Sequence, residues 1–245
     1  MVVGALGAAF WGFVGGASLL IGAVLGIYAG ASRRTIALIM AFGAGVLLSS
    51  VAFELMEEAY RRGGFDAAAI GLLAGAAVFF FADREVNRRG GERRKNMGDQ
   101  QGDSATSIAI GALLDGIPES AAIGITLIEG TGVSAALVAA VFLSNIPEGL
   151  SSASGMKQAG RSTGHVLVLW TAVAAASAIA ALLGYLFLAG APEDLIAGIQ
   201  AFAAGAILTM LASTMMPEAY EEGGGVVGIV TSMGFLLAFV LSRLE

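Results

Sequence analysis

Two short patterns hold the acids that could do chemistry in this chain. Leu114-Asp115-Gly116-Ile117-Pro118-Glu119-Ser120 is followed 29 residues later by Leu143-Ser144-Asn145-Ile146-Pro147-Glu148-Gly149. Each places a proline and a carboxylate inside an apolar run. Four residues make roughly one helical turn, so Asp115 and Glu119 share one face, and Ser144 and Glu148 share another. Proline has no N–H and clashes with the carbonyl four residues back, so Pro118 is expected to free the carbonyl of Leu114, and Pro147 that of Leu143. An ionised side chain at mid-bilayer costs roughly 2.5 to 3.5 kcal/mol, so three left unpaired would cost about 8 to 10. A proton or a bound cation must offset this, and a transport site alternates between the two. The donors of Asp115, Glu119, Glu148, Asn145 and Ser144 are all oxygen atoms, which suits Mn²⁺, Mg²⁺ or Ca²⁺ and leaves Fe²⁺ and Zn²⁺ open. The ion is expected as a substrate, with no cofactor.

The rest of the composition says where such a site must sit. The chain has 245 residues, 57% hydrophobic and 13% charged, with a mean hydropathy of +0.82. Soluble domains average about 25% charged residues, so this is read as a membrane protein. The apolar runs are about 20 residues or longer, the length of a membrane-crossing helix rather than of a barrel strand. Cysteine is absent, which excludes disulfides and thiolate metal sites. The chain opens on an apolar run without a basic lead, and this is read as a retained first span. The expected partners are divalent cations, the lipid bilayer and a second copy in a homodimer, with no nucleic acid.

Eight spans fit, at about 3–29, 35–59, 65–83, 104–127, 132–156, 162–189, 193–217 and 223–243. Basic residues favour cytoplasmic loops. With both termini outside, Arg33, Arg34, Arg84, Arg88, Arg89, Arg93, Arg94, Lys95, Lys157 and Arg161 all lie inside, which is 10 of the 13 basic residues. The expected location is the cell membrane. The polar stretch at about 84–103 reads as a cytoplasmic loop.

A repeat brackets the central pair of spans. Residues 41–64 align without gaps on 201–224, with 12 of 24 positions identical, including Glu58-Ala59-Tyr60 and Glu218-Ala219-Tyr220. The second and seventh spans differ by an odd number, so the copies are expected to cross in opposite directions. That is an inverted repeat, as in alternating-access transporters. The expected fold is a single all-α membrane domain, 1–245, built as 3 + 2 + 3, with repeats at about 1–83 and 162–245 around a central pair at 104–156.

Acids also gather beyond the central pair. Glu218, Glu221 and Glu222 could form an exit site or a solvated helix end, and Glu54, Glu57 and Glu58 an entrance that concentrates cations. Arg61 and Arg62 follow directly and could instead pair with the latter. His165 is the sole histidine and reads as an interfacial residue, while Met56 and Met216 read as packing.

The doubled I-P-E pattern, the eight expected spans, the long third loop and the repeat together resemble the Zrt/Irt-like (ZIP) family of divalent metal transporters. The fourth span of that family usually reads H-N-x-P-E-G, and its fifth resembles H/Q-D/N/E-I-P-E/H-G. The resemblance implies that Asp115 replaces a histidine, Gly116 an asparagine and Ser144 a histidine or glutamine, while Glu119, Asn145 and Glu148 are retained. The H-E-x-x-P-E of the seventh span reads Ser213 to Glu218 here, and in family terms Ser177 or a neighbour on the sixth span, which has no acid, faces the site. Losing the imidazoles weakens the expected preference for zinc. The function expected is therefore transport of a divalent cation such as zinc, iron or manganese into the cytoplasm, without enzymatic activity. The alternatives are a cation/proton exchanger or an intramembrane aspartyl protease. The protease needs two facing aspartates and a G-x-G-D signature, and the chain offers neither.

Overall fold

The computed structural model describes residues 2–29, 32–88, 105–129 and 132–243. All the regular structure among them is helical: α1 Val2–Tyr28, α2 Arg33–Ser50, α3 Glu57–Val86, α4 Ala105–Thr126, α5 Ala135–Gln158, α6 Thr163–Leu188, α7 Glu193–Met210, α8 Met216–Gly223 and α9 Val226–Ser242. Five helical runs among the described residues are long and apolar enough to cross a membrane: Val2–Tyr28, Arg33–Val86, Ala135–Gln158, Thr163–Leu188 and Glu193–Gly223, the second of which turns at Gly64. This is a multi-pass, all-helical membrane architecture. Serine caps begin three of the helices. The Oγ atoms of Ser32, Ser134 and Ser162 accept from the backbone N–H of Thr35, Leu137 and His165, each satisfying a donor that the first turn leaves over.

Two expected boundaries move. Loops were expected after residues 59 and 217, yet helix continues up to Gly63 in the first case and to Gly223 in the second, and helix resumes after Gly64 and runs to Val86. A single glycine makes each turn, Gly64 at φ 66°, ψ −168° and Gly224 at φ 67°, ψ −158°. Residues with a Cβ avoid that region, so one glycine does the work of a loop. Helix also extends past the expected end of the third span at 83, and the expected loop from residue 89 onward lies outside the described residues.

The segments aligned at the 160-residue offset share a second feature. A π-helical turn at Val51–Met56 joins α2 to α3, and another at Leu211–Met215 joins α7 to α8. Such turns insert a residue and re-aim the side chains around it.

The aligned segments also exchange partners. α2 packs along α9, and α7 along α3. A Cβ on Gly45 would collide with the carbonyl of Thr231, and one on Gly205 with that of Leu72. Likewise Gly234 sits on the Phe42 carbonyl and Gly75 on that of Phe202. Gly45 and Phe42 align with Gly205 and Phe202, and their contacts align too, at an offset one residue shorter. Ion pairs follow the same exchange. Arg62 meets Glu193 at 3.2 Å, and Glu222 meets Arg33 at 3.4 Å, so one pair of aligned positions is bridged twice with the charges reversed.

Backbone-close glycines knit one group of four helices. α1 binds α5 through Gly22, Gly26 and Gly149, and α6 through Gly12 and Gly16, while α4 meets α6 at Gly124 and Gly184. The other helices form two glycine-joined pairs, α2 with α9 and α3 with α7, which the π-helical turns and α8 connect into a second group. The groups meet along two seams, α2 on α5 and α4 on α7.

Candidate metal centre

Every residue of the two central patterns that could hold a cation is buried. Asp115 is 2% exposed and Glu119 1%, on α4, while Ser144, Asn145 and Glu148 on α5 are 1%, 3% and 4% exposed. Both prolines lie inside continuous helix, Pro118 in α4 and Pro147 in α5. Proline still forfeits its own bond to the preceding turn, which leaves the carbonyls of Leu114 and Leu143 without that donor.

Asn145 is oriented from another helix. Its Nδ2 donates to the Gly15 carbonyl of α1 at 3.2 Å, and the hydroxyl of buried Ser18 donates to the same carbonyl. Fixing the amide nitrogen on Gly15 fixes where its oxygen, the atom a metal would use, is carried. Ser144 spends its hydroxyl proton on the Val141 carbonyl at 3.0 Å, which keeps its lone pairs available. On α4, a Cβ at Gly116 would lie 3.7 Å from the Ser177 Oγ. Buried Ser177 of α6 thus stands beside the Asp115–Gly116 step.

The structure does not gather the acids into a compact cage. Among the described residues no three His, Cys, Asp or Glu side chains come together as a metal-holding group. The reason lies in the packing, because α4 rests mainly on α6 and α7, and α5 on α1 and α2, so the two helices touch only briefly. A complete site would draw on oxygens of Asn145 and Ser144 and on a closer approach of α4 to α5.

Among the outer acids Glu54, Glu57 and Glu58 each face a separate partner, and Glu58 takes the pairing with Arg61 and Arg62 that stood as the alternative to an entrance. Glu58 is bound by Arg61 and by Arg62, the latter at 2.7 Å. Glu57 lies 4.0 Å from Arg243, and Glu54 accepts from the Ser134 hydroxyl at 3.0 Å. At the other end Glu218, Glu221 and Glu222 lie on α8, and Glu222 gains Arg33 as a partner from α2. His165 is exposed at the start of α6, and Met56 and Met216 pack against the main core. Sequence reasoning missed Gly15, Ser18 and Gln200. Gln200 is fully buried and donates to the Glu54 carbonyl at 3.3 Å. A buried glutamine in an apolar run was a readable signal, whereas a glycine carbonyl has no side chain to give it away.

No family model matches the chain. A curated protein of Arabidopsis thaliana described as a "putative zinc transporter" is 27% identical over 184 residues, which is 73% of this chain. The match amounts to only 29% of that protein's own length.

Proposed function

We propose that the protein carries divalent metal cations across the cell membrane, using Asp115, Glu119, Asn145 and Glu148, with Ser144, as the central site. The observation that carries this reading is the burial of three carboxylic acids on two apolar helices beside an asparagine whose amide is pinned by a third helix. Acids placed there at several kcal/mol each call for a ligand that offsets their charge. Similarity to the Arabidopsis protein supports a metal as that ligand, and the doubled I-P-E pattern supports a Zrt/Irt-like transporter.

In this reading the chain crosses eight times with both termini outside, as an inverted repeat of 3 + 2 + 3. The exchanged packing of α2 on α9 and α3 on α7, together with the charge-reversed ion pairs, supports that symmetry. Alternating access then runs at the two seams, where the α1–α4–α5–α6 group meets the other helices. Cations enter from outside and leave past Glu218, Glu221 and Glu222. The test is metal-dependent flux into proteoliposomes across a panel of divalent ions. Flux that fails to depend on the metal, or that follows only a proton gradient, contradicts the reading.

A further inference from the structure

The α2–α5 seam is tied at two levels. Near its middle Gly43 gives way to α5, since a Cβ there would lie 2.8 Å from the Ser144 Cα and 3.3 Å from the Leu143 carbonyl oxygen. Further along, Glu54 in the π-helical turn accepts from the Ser134 hydroxyl at 3.0 Å. Ser134 is also the residue that caps α5, its Oγ accepting from the Leu137 N–H at 3.1 Å. Its own N–H donates to the Thr126 hydroxyl at the end of α4, at 3.3 Å. One serine therefore joins a carboxylate of one helix group to the ends of both central helices in the other group. Glu54 is itself held from behind, through the bond from Gln200 of α7 to its carbonyl.

At the 160-residue offset Glu54 aligns with Thr214, and at the 29-residue offset of the two central patterns Ser134 aligns with Ala105. The sequence therefore does not repeat the Glu–Ser pair at the aligned positions.

We propose that the Glu54–Ser134 hydrogen bond is a latch that holds the α4–α5 pair against α2 and α7 at this end, and that it opens once in each transport cycle. The proposal rests on the transporter reading. A charge-assisted hydrogen bond of this kind shifts a two-state equilibrium without fixing it, because each partner finds water once the seam parts.

The chain has no cysteine, so spin labels can be placed without removing any. Tyr60→Cys on α3 and Phe187→Cys on α6 put labels on exposed side chains of the two groups, 60% and 78% accessible, near the same end. Pulsed electron resonance in liposomes should give one dominant distance for the labelled protein. Glu54→Ala and Ser134→Ala should each add a longer population, and Ser134→Thr, which keeps the hydroxyl, should not. A distribution unchanged in either alanine variant overturns the latch, as does a longer population in Ser134→Thr. Divalent flux is measured on the same labelled protein, so its absence would remove the transport reading while the distances still judged the contact.

Discussion

Asp115 stands where the resembled family carries a nitrogen ligand, and its neighbour Gly116 has room. Among the described residues only the Ser177 Oγ comes near the place of a Cβ there, at 3.7 Å, so a Cβ meets no backbone of a neighbouring helix. Asp115→His with Gly116→Asn should therefore fold and should raise the competition of Zn²⁺ against Mn²⁺ in a flux assay, because imidazole favours zinc more than carboxylate does. An unchanged selectivity ratio and metal stoichiometry would show that Asp115 does not touch the ion. Protons compete with cations for the same carboxylate oxygens, so flux should fall as the outer pH is lowered. Flux that rises steadily towards acid pH would point to proton coupling instead. At this scale the sequence was informative about Asp115, Glu119 and Glu148, because a charge inside an apolar run needs explaining. It was silent about what aims Asn145, since the acceptor is a backbone carbonyl on a helix 130 residues away.

Helix breaks tell the same story one level up. The 160-residue repeat was legible from identities alone, and the structure adds that Gly64 and Gly224 turn the chain at aligned positions. Loops were expected there because polar residues cluster around both glycines. The chain instead keeps its helical hydrogen bonds up to a single residue that only glycine tolerates. Gly64→Ala and Gly224→Ala should each destabilise the protein by about 1 to 3 kcal/mol, the usual cost of forcing a Cβ into that backbone region. Thermal unfolding in detergent reads this, and melting at the temperature of the unaltered protein in both variants would show that the turns relax. Glu58 gives the matching lesson for charge. Its place in an acidic run suggested a cation entrance, yet Arg61 and Arg62 lie three and four residues on, one turn away on the same face, and they claim it.

Across the whole molecule glycine-to-carbonyl contacts knit α1, α4, α5 and α6 together and pair α2 with α9 and α3 with α7. The ion pairs Arg62–Glu193 and Arg33–Glu222 bridge aligned positions with opposite polarity. If the Arg62–Glu193 pair only clamps α3 to α7, Glu193→Gln should leave flux within about twofold, since Glu193 is largely exposed and Arg62 keeps its bond to Glu58. A collapse of flux in that variant would assign the pair a part in the cycle itself. The central claim is that buried carboxylates on α4 and α5 carry a divalent metal across the membrane. Its most direct test is metal uptake by proteoliposomes containing the purified protein, compared with Glu119→Ala and Glu148→Ala variants shown to fold and insert equally well. The account predicts saturable, divalent-dependent uptake in the unaltered protein and loss of uptake in both variants. Uptake at the unaltered rate in either variant would contradict it.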